Sequence, residues 1–249
     1  MTKNILVFIS SLLFCLNVTA NNIERNNFYI KPSIGLSSFN EIIEEDTSNK
    51  TTINFKQKSD YNPNFSISIG KHINTNIRAE LLLGYDIANF KKTNKKIGLS
   101  TEEMREVAQN VINPRDVYKK AEIKRKATIP HVFINTYFDL PINKNFDLFL
   151  GVGIGASKLY EKFGARAGLH INEIYYFKTE KVKSNTLNFA YNIIVGSAFN
   201  LSDNLKMELS YIYKDFGDAD ETRKWEDGDK LSKAHYKSHN INLGIRYNL

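Results

Sequence analysis

Cysteine is nearly absent. The 249 residues hold one, Cys15, and it lies in an N-terminal stretch that reads as a leader. Lys3 supplies a positive start, Ile5 to Val18 an apolar run, and Val18-Thr19-Ala20 a small-residue cleavage site. Residues 1–20 are therefore expected to be a secretory signal peptide, and 21–249 the mature domain. Bulky Phe14 before Cys15 argues against a lipid anchor there. Without that segment the chain has no thiol, which excludes disulfides, thiol catalysis and Cys-ligated metals. An exported chain of this size must then be held by its own hydrogen bonding and packing.

Long apolar runs are missing too. After the leader nothing approaches the roughly eighteen apolar residues of a membrane helix, and the mean hydropathy is −0.38. A helical membrane protein is excluded, but a β-barrel is not, because alternating strands dilute hydropathy. The 42% apolar and 24% charged content is that of a folded domain rather than a disordered chain. The five histidines suggest little metal chemistry: His235 and His239 are four apart but have no third ligand nearby. Ser238-His239 with Asp215 or Asp218 is a hydrolytic set that can be drawn at the outer rim, but neighbours in a strand point to opposite faces, which weakens it. The expectation is a protein that is not an enzyme and has no cofactor.

What the chain does have is alternation. The last ten residues place Ile241, Leu243, Ile245, Tyr247 and Leu249 on one face and Asn240, Asn242, Gly244, Arg246 and Asn248 on the other. Seven earlier segments repeat the pattern: Phe28–Asn40, Asn64–Ile73, Ile77–Phe90, Ala127–Leu140, Phe146–Lys158, Thr186–Phe199 and Leu205–Phe216. Each is at least the 9–11 residues, roughly, that a tilted strand needs to cross a bilayer. Connections 74–76, 141–145 and 200–204 are short and rich in turn formers. Those near 41–63, 91–126, 159–185 and 217–238 are long and polar. Short turns on one rim and long loops on the other predict an all-β fold, an eight-stranded antiparallel up-and-down transmembrane barrel. An even strand count would put both termini at the periplasmic rim and the long loops outside the cell.

The polar faces carry charge. Arg78, Glu80, Lys206, Glu208 and Arg246 all fall on them, and buried charges persist only when paired. The expectation is a lumen in which Glu80 and Glu208 meet Arg78, Lys206 and Arg246. Glycines 35, 70, 84, 151, 153, 155, 196 and 244 share that face and would make room for them. An eight-stranded interior is only wide enough to be filled by side chains, so a plugged lumen is expected. Phe28, Phe39, Phe90, Phe138, Phe146, Phe199, Tyr213, Phe216 and Tyr247 are candidates for aromatic girdles at the membrane surfaces.

The net charge of +7 is concentrated. Residues 91–126 hold eleven basic side chains, among them Lys119, Lys120, Lys124 and Arg125, against five acidic ones. Such a run suits acidic partners: lipopolysaccharide phosphates, sulfated glycans or acidic protein patches. A solvated charged loop is the plainer alternative. Within it Ser100-Thr-Glu-Glu103 forms a capping box, followed by Met104, Val107, Ala108 and Val111, so a short amphipathic helix is predicted. Trp225, the sole tryptophan, sits among charges as an interface residue or as packing against a neighbouring loop. No nucleic-acid module is present, and nucleic acid is not an expected partner.

Three stretches carry a family resemblance. Glu208-Leu-Ser-Tyr-Ile-Tyr-Lys-Asp-Phe-Gly217 with His235 to Leu249, and the glycine-rich Phe149-Leu-Gly-Val-Gly-Ile-Gly-Ala156, resemble the small surface adhesins of rickettsiae. The quotable match is confined to the fifth, seventh and eighth segments; the loops do not match. The resemblance implies an eight-stranded, opacity-protein-like outer-membrane barrel that binds host proteins and helps attachment or serum resistance. The expectation is then a monomer in contact with outer-membrane lipid and lipopolysaccharide that binds host cell-surface or serum proteins through its long loops. It brings no catalytic residues. The alternative is a structural barrel or narrow porin-like channel without a dedicated ligand.

Overall fold

A computed structural model describes residues 27–40, 42–43, 56–57, 59–90, 93–97, 118–171, 174–225 and 228–249. The strands, in chain order, are β1 (Phe28–Phe39), β2 (Ile42–Ile43), β3 (Lys56–Gln57), β4 (Asn62–His72), β5 (Ile77–Asn89), β6 (Thr93–Ile97), β7 (Tyr118–Asn143), β8 (Phe146–Ile171), β9 (Ile174–Asn200), β10 (Leu205–Trp225) and β11 (Gly228–Asn248). Eight of them form the expected barrel. β1, β4, β5, β7, β8, β9, β10 and β11 pair antiparallel around a ring, and β1 closes it on β11 with Ile30 opposite Tyr247 and Ser37 opposite Asn240. Closure leaves no edge within the ring, the condition for a sheet to stand in lipid.

The side chains are sorted inside out relative to a soluble domain. Leu83, Val152, Ile193 and Ile241 are more than half exposed, while Arg78, Asp86 and Arg246 are buried at 1% or less. Period-two alternation imposes this: one parity faces the lumen and the other faces out. The same parity corrects the girdle expectation for three aromatics. Phe39, Phe90 and Phe216 are buried inside, because each shares its parity with lumen residues of its own strand. Phe28, Phe138, Phe199 and Tyr247 do face outward.

The long polar stretches differ more from expectation. Where loops were expected near 91–126, 159–185 and 217–238, the strands run on. β7 and β8 reach 26 residues each and β9 reaches 27. The backbone ladder continues after the apolar belt ends, from Thr128–Tyr160 out to Tyr118–His170. Past the lipid the outer face of a strand meets water and no longer has to be apolar. The apolar alternation disappears there although the hydrogen bonds do not. β9 and β10 stay paired only as far as Tyr191–Asp215. Beyond that point β6–β9 form one blade and β10–β11 another, the latter entered through a bulge at Asp215/Asp218 with Gly217 at φ 81°. The stretch 41–63 contributes the small β2–β3 pair. The helix expected from the capping box at 100–103 lies outside the described residues, as does the expected leader.

Candidate functional site

The lumen is filled in layers. Nearest the short-turn rim, Arg78 on β5 sends Nε to both carboxylate oxygens of Asp139 at 3.0 Å. Its Nη1 donates to the Tyr29 hydroxyl at 3.1 Å, and its Nη2 lies 3.5 Å from Glu208. The guanidinium is also 3.9 Å from the Tyr137 ring centroid, a cation–π contact in a desolvated setting. Glu80 receives Lys31 at 2.7 Å and the hydroxyls of Tyr29 and Tyr137 at 3.1 and 2.9 Å. Glu208 is met by Lys31 at 3.2 Å and Arg246 at 3.1 Å. Three cations thus face three carboxylates. A buried group of this kind persists only if each charge is compensated.

Of the expected cluster, the structure brings together Arg78, Glu80, Glu208 and Arg246. Lys206 is the exception. It turns to the short-turn rim and pairs with the partly exposed Asp147 at 2.6 Å. Two lumen residues nearer Glu208 than Lys206, Lys31 and Arg246, already compensate that carboxylate. Sequence reasoning missed Lys31, Asp139, Tyr29 and Tyr137 as cluster members. Their lumen parity was visible, but which strands face one another across the lumen was not.

Above this layer lies a cavity of only about 20 Å³, lined in part by Lys31, Tyr137, Phe149, Glu208 and Asn242. It has room for about one water. Next comes Asp86, which accepts from Ser37 at 2.6 Å and pairs with Lys214 at 2.8 Å, with His131 alongside. Beyond it an aromatic layer crosses the lumen: Phe39 lies 6.3 Å from each of Phe90, Phe216 and Tyr236. Leu159, Ile129 and Phe133 pack with them.

The candidate partner-binding residues fall in different places. Lys119 and Lys120 lie on the β7 extension, opposite Leu169 and Gly168 of β8. Trp225 ends β10 opposite Gly228 at the tip of its hairpin. Lys124 faces outward and is exposed. Arg125 does not: it is 3% exposed, turned inward, and its Nε pairs with Glu161 at 2.7 Å. The adjacent position on a strand has the opposite facing, so Lys124 and Arg125 could not both be surface cations. For the same reason Ser238 lies buried in the lumen, accepting from Asn240, while His239 contacts Tyr211 on the outside. His235 instead stands between Asp218 and Asp215, at 2.5 and 3.0 Å.

Comparison with known proteins agrees with this geometry. The profile of the outer membrane protein beta-barrel domain matches residues 6–248. A protein of Rickettsia typhi named as a candidate adhesin is 30% identical over 226 residues, covering 90% of this chain and 88% of that one. A similarly named protein of Rickettsia bellii is 30% identical over 231 residues, with 90% and 89% covered. Among solved structures, the outer membrane protein OprG of Pseudomonas aeruginosa has a TM-score of 0.50 at 10% identity, covering 91% of this chain and 97% of that one, a likeness of fold. With its closed ring, apolar exterior and ion-paired interior, the chain belongs to the outer-membrane β-barrel family, and the outer membrane is where it resides.

Proposed function

We propose that this barrel is a surface adhesin that grips host cell-surface or serum proteins with the blades at its long rim. In this reading the blades face out of the cell and both termini face the periplasm. The observation that carries it is the excess of strand. β7, β8 and β9 are 26 to 27 residues long, where about 9–11 suffice to cross the bilayer. A barrel that only had to span the membrane would not need a blade of that height. The names of the rickettsial relatives support the same reading. A lumen closed by a charge layer and an aromatic layer disfavours a conduit, so binding by the exterior surface is the better use of the fold. The protein acts as a non-enzymatic binder, as a monomer.

The test is adhesion of cells displaying the full chain against cells displaying a version with residues 165–180 replaced by a short turn. Shortening the β8–β9 blade, or correspondingly the β10–β11 blade, should reduce attachment to host cells or capture of serum proteins. Equal attachment by the full-length and both shortened forms would overturn the adhesin reading.

A further inference from the structure

Outside the lumen, the strand register sets three lysines side by side. Lys126 of β7 lies opposite Lys162 of β8, and Lys162 lies opposite Lys183 of β9. All three are exposed, and they stand on the outer wall because their neighbours Arg125 and Glu161 turn inward. Like charges directly opposite on one sheet face repel. Among the described residues, none of the three has an ion-pair or hydrogen-bond partner. An array of this kind costs stability unless an anion from elsewhere covers it.

The height of the row says which anion. Two residues closer to the membrane, the same face carries the rung Thr128–Tyr160–Asn185. Tyr160 is exposed, and Lys158 lies 5.0 Å over its ring. Two residues further in, the outward positions are Pro130, Lys158 and the exposed Leu187, so the apolar belt ends here on β7 and β9, while β8 already carries a cation at this height. From there to the lysine row is four residues, about 13 Å of strand and about 10 Å along the axis of a tilted barrel. The polar headgroup layer occupies about the first 5–8 Å beyond the hydrocarbon. Lysine stems lying along the wall bring their ammonium groups down into it. On β7 and β9 the apolar belt gives way to the cation row in the order of a membrane surface, and on β8 Lys158 and Tyr160 stand between the two.

We propose that Lys126, Lys162 and Lys183 bind the phosphate groups of a phosphorylated lipid in the leaflet at the long rim. Adjacent strands are about 4.8 Å apart, so the row spans about 10 Å. That lets one headgroup with more than one phosphate bridge it, with lysine acting as a point charge on each. The bound lipid would fix the base of the β6–β9 blade against the membrane. This inference rests on the outer-membrane location and does not depend on what the blades grip.

The experiment uses the mature chain folded in neutral detergent and native mass spectrometry with three probes: bisphosphorylated lipid A, its dephosphorylated form, and inorganic pyrophosphate. The wild type should retain bisphosphorylated lipid A. The triple variant Lys126→Gln, Lys162→Gln, Lys183→Gln should weaken that binding by about tenfold or more. The matching triple change to Arg should retain it, and Lys71→Gln with Lys144→Gln, away from the row, should leave it unchanged. Heat-modifiable gel mobility verifies that each variant is folded. The proposal is overturned if the triple Gln variant binds like wild type, or if dephosphorylated lipid A binds as well. It is also overturned if pyrophosphate alone binds with the same lysine dependence and displaces the lipid, which would make the row a site for soluble anions.

Discussion

Arg246 of the last strand reaches Glu208 of β10 at 3.1 Å, one rung removed from its own partner Lys206. Both side chains are nearly inaccessible to solvent. Arg246→Leu should therefore destabilise the barrel, as an exposed arginine would not. Breaking a buried pair costs about 3–5 kcal/mol when the survivor is stranded. Glu208 keeps Lys31 at 3.2 Å and Arg78 at 3.5 Å, so a smaller loss is expected here, about 2 kcal/mol. Urea unfolding in lipid vesicles measures it. Glu208→Leu in the same molecule should recover part of the loss, because coupled residues are not additive.

Gly70 shows why the lumen face carries glycine. A β-carbon there would lie 2.1 Å from the Tyr29 ring, far inside contact distance. Tyr29 cannot easily yield, since its hydroxyl donates to Glu80 and accepts from Arg78. Gly70→Ala should cost about 1–3 kcal/mol as an overpacking change. Gly244→Ala should cost less. Its nearest neighbour is the Ser33 hydroxyl at 2.6 Å, a single atom that can rotate away. Equal losses for the two, read from the same unfolding curves, would refute this account of the glycines.

The barrel was legible because lipid and lumen force a period of two on every crossing strand, as Ile241 to Leu249 show. The charge layer was half legible. Parity placed Arg78, Glu80, Glu208 and Arg246 inside, but strand register decides that Lys31 and Asp139 join them and that Lys206 does not. A one-dimensional pattern records which way a residue points and not its height in the lumen. The blades were hidden for a different reason. Beyond the hydrocarbon, Lys126, Lys162 and Lys183 occupy ladder positions whose hydrogen bonds come from the backbone, and nothing in the side chains marks them as strand.

Arg125 and Glu161 offer a test of what the basic run does. The pair is buried at the base of the blade, with the guanidinium 5.1 Å from the Phe163 ring centroid. Glu161→Gln removes the carboxylate 2.7 Å from that guanidinium and should loosen the blade. Limited proteolysis should then cut within β7 and β8 several times faster, while the heat-modifiable mobility of the barrel is retained. Lys144→Gln, in the short turn at the other rim, should leave the cleavage rate near wild type. Identical cleavage in the Glu161 variant and the wild type would show that the pair does not hold the blade.

Two barriers in series close the lumen, so removing one should not open it. Tyr29, Tyr137 and the ion-paired carboxylates fill the short-turn end, while Phe39, Phe90, Phe216 and Tyr236 fill the long-rim end. Planar-bilayer recording of the wild type should show no stable conductance. Phe39→Ala with Phe216→Ala removes two rings that stack 6.3 Å apart, but it leaves Arg78 locked on Asp139 and Tyr137. That variant should also stay silent, because the charge layer alone still blocks ions. Adding Tyr137→Ala, which removes the ring under Arg78 and the hydroxyl donated to Glu80, should give the first measurable steps. Conductance in the wild type would contradict the filled lumen and favour a channel over a surface that works from its blades.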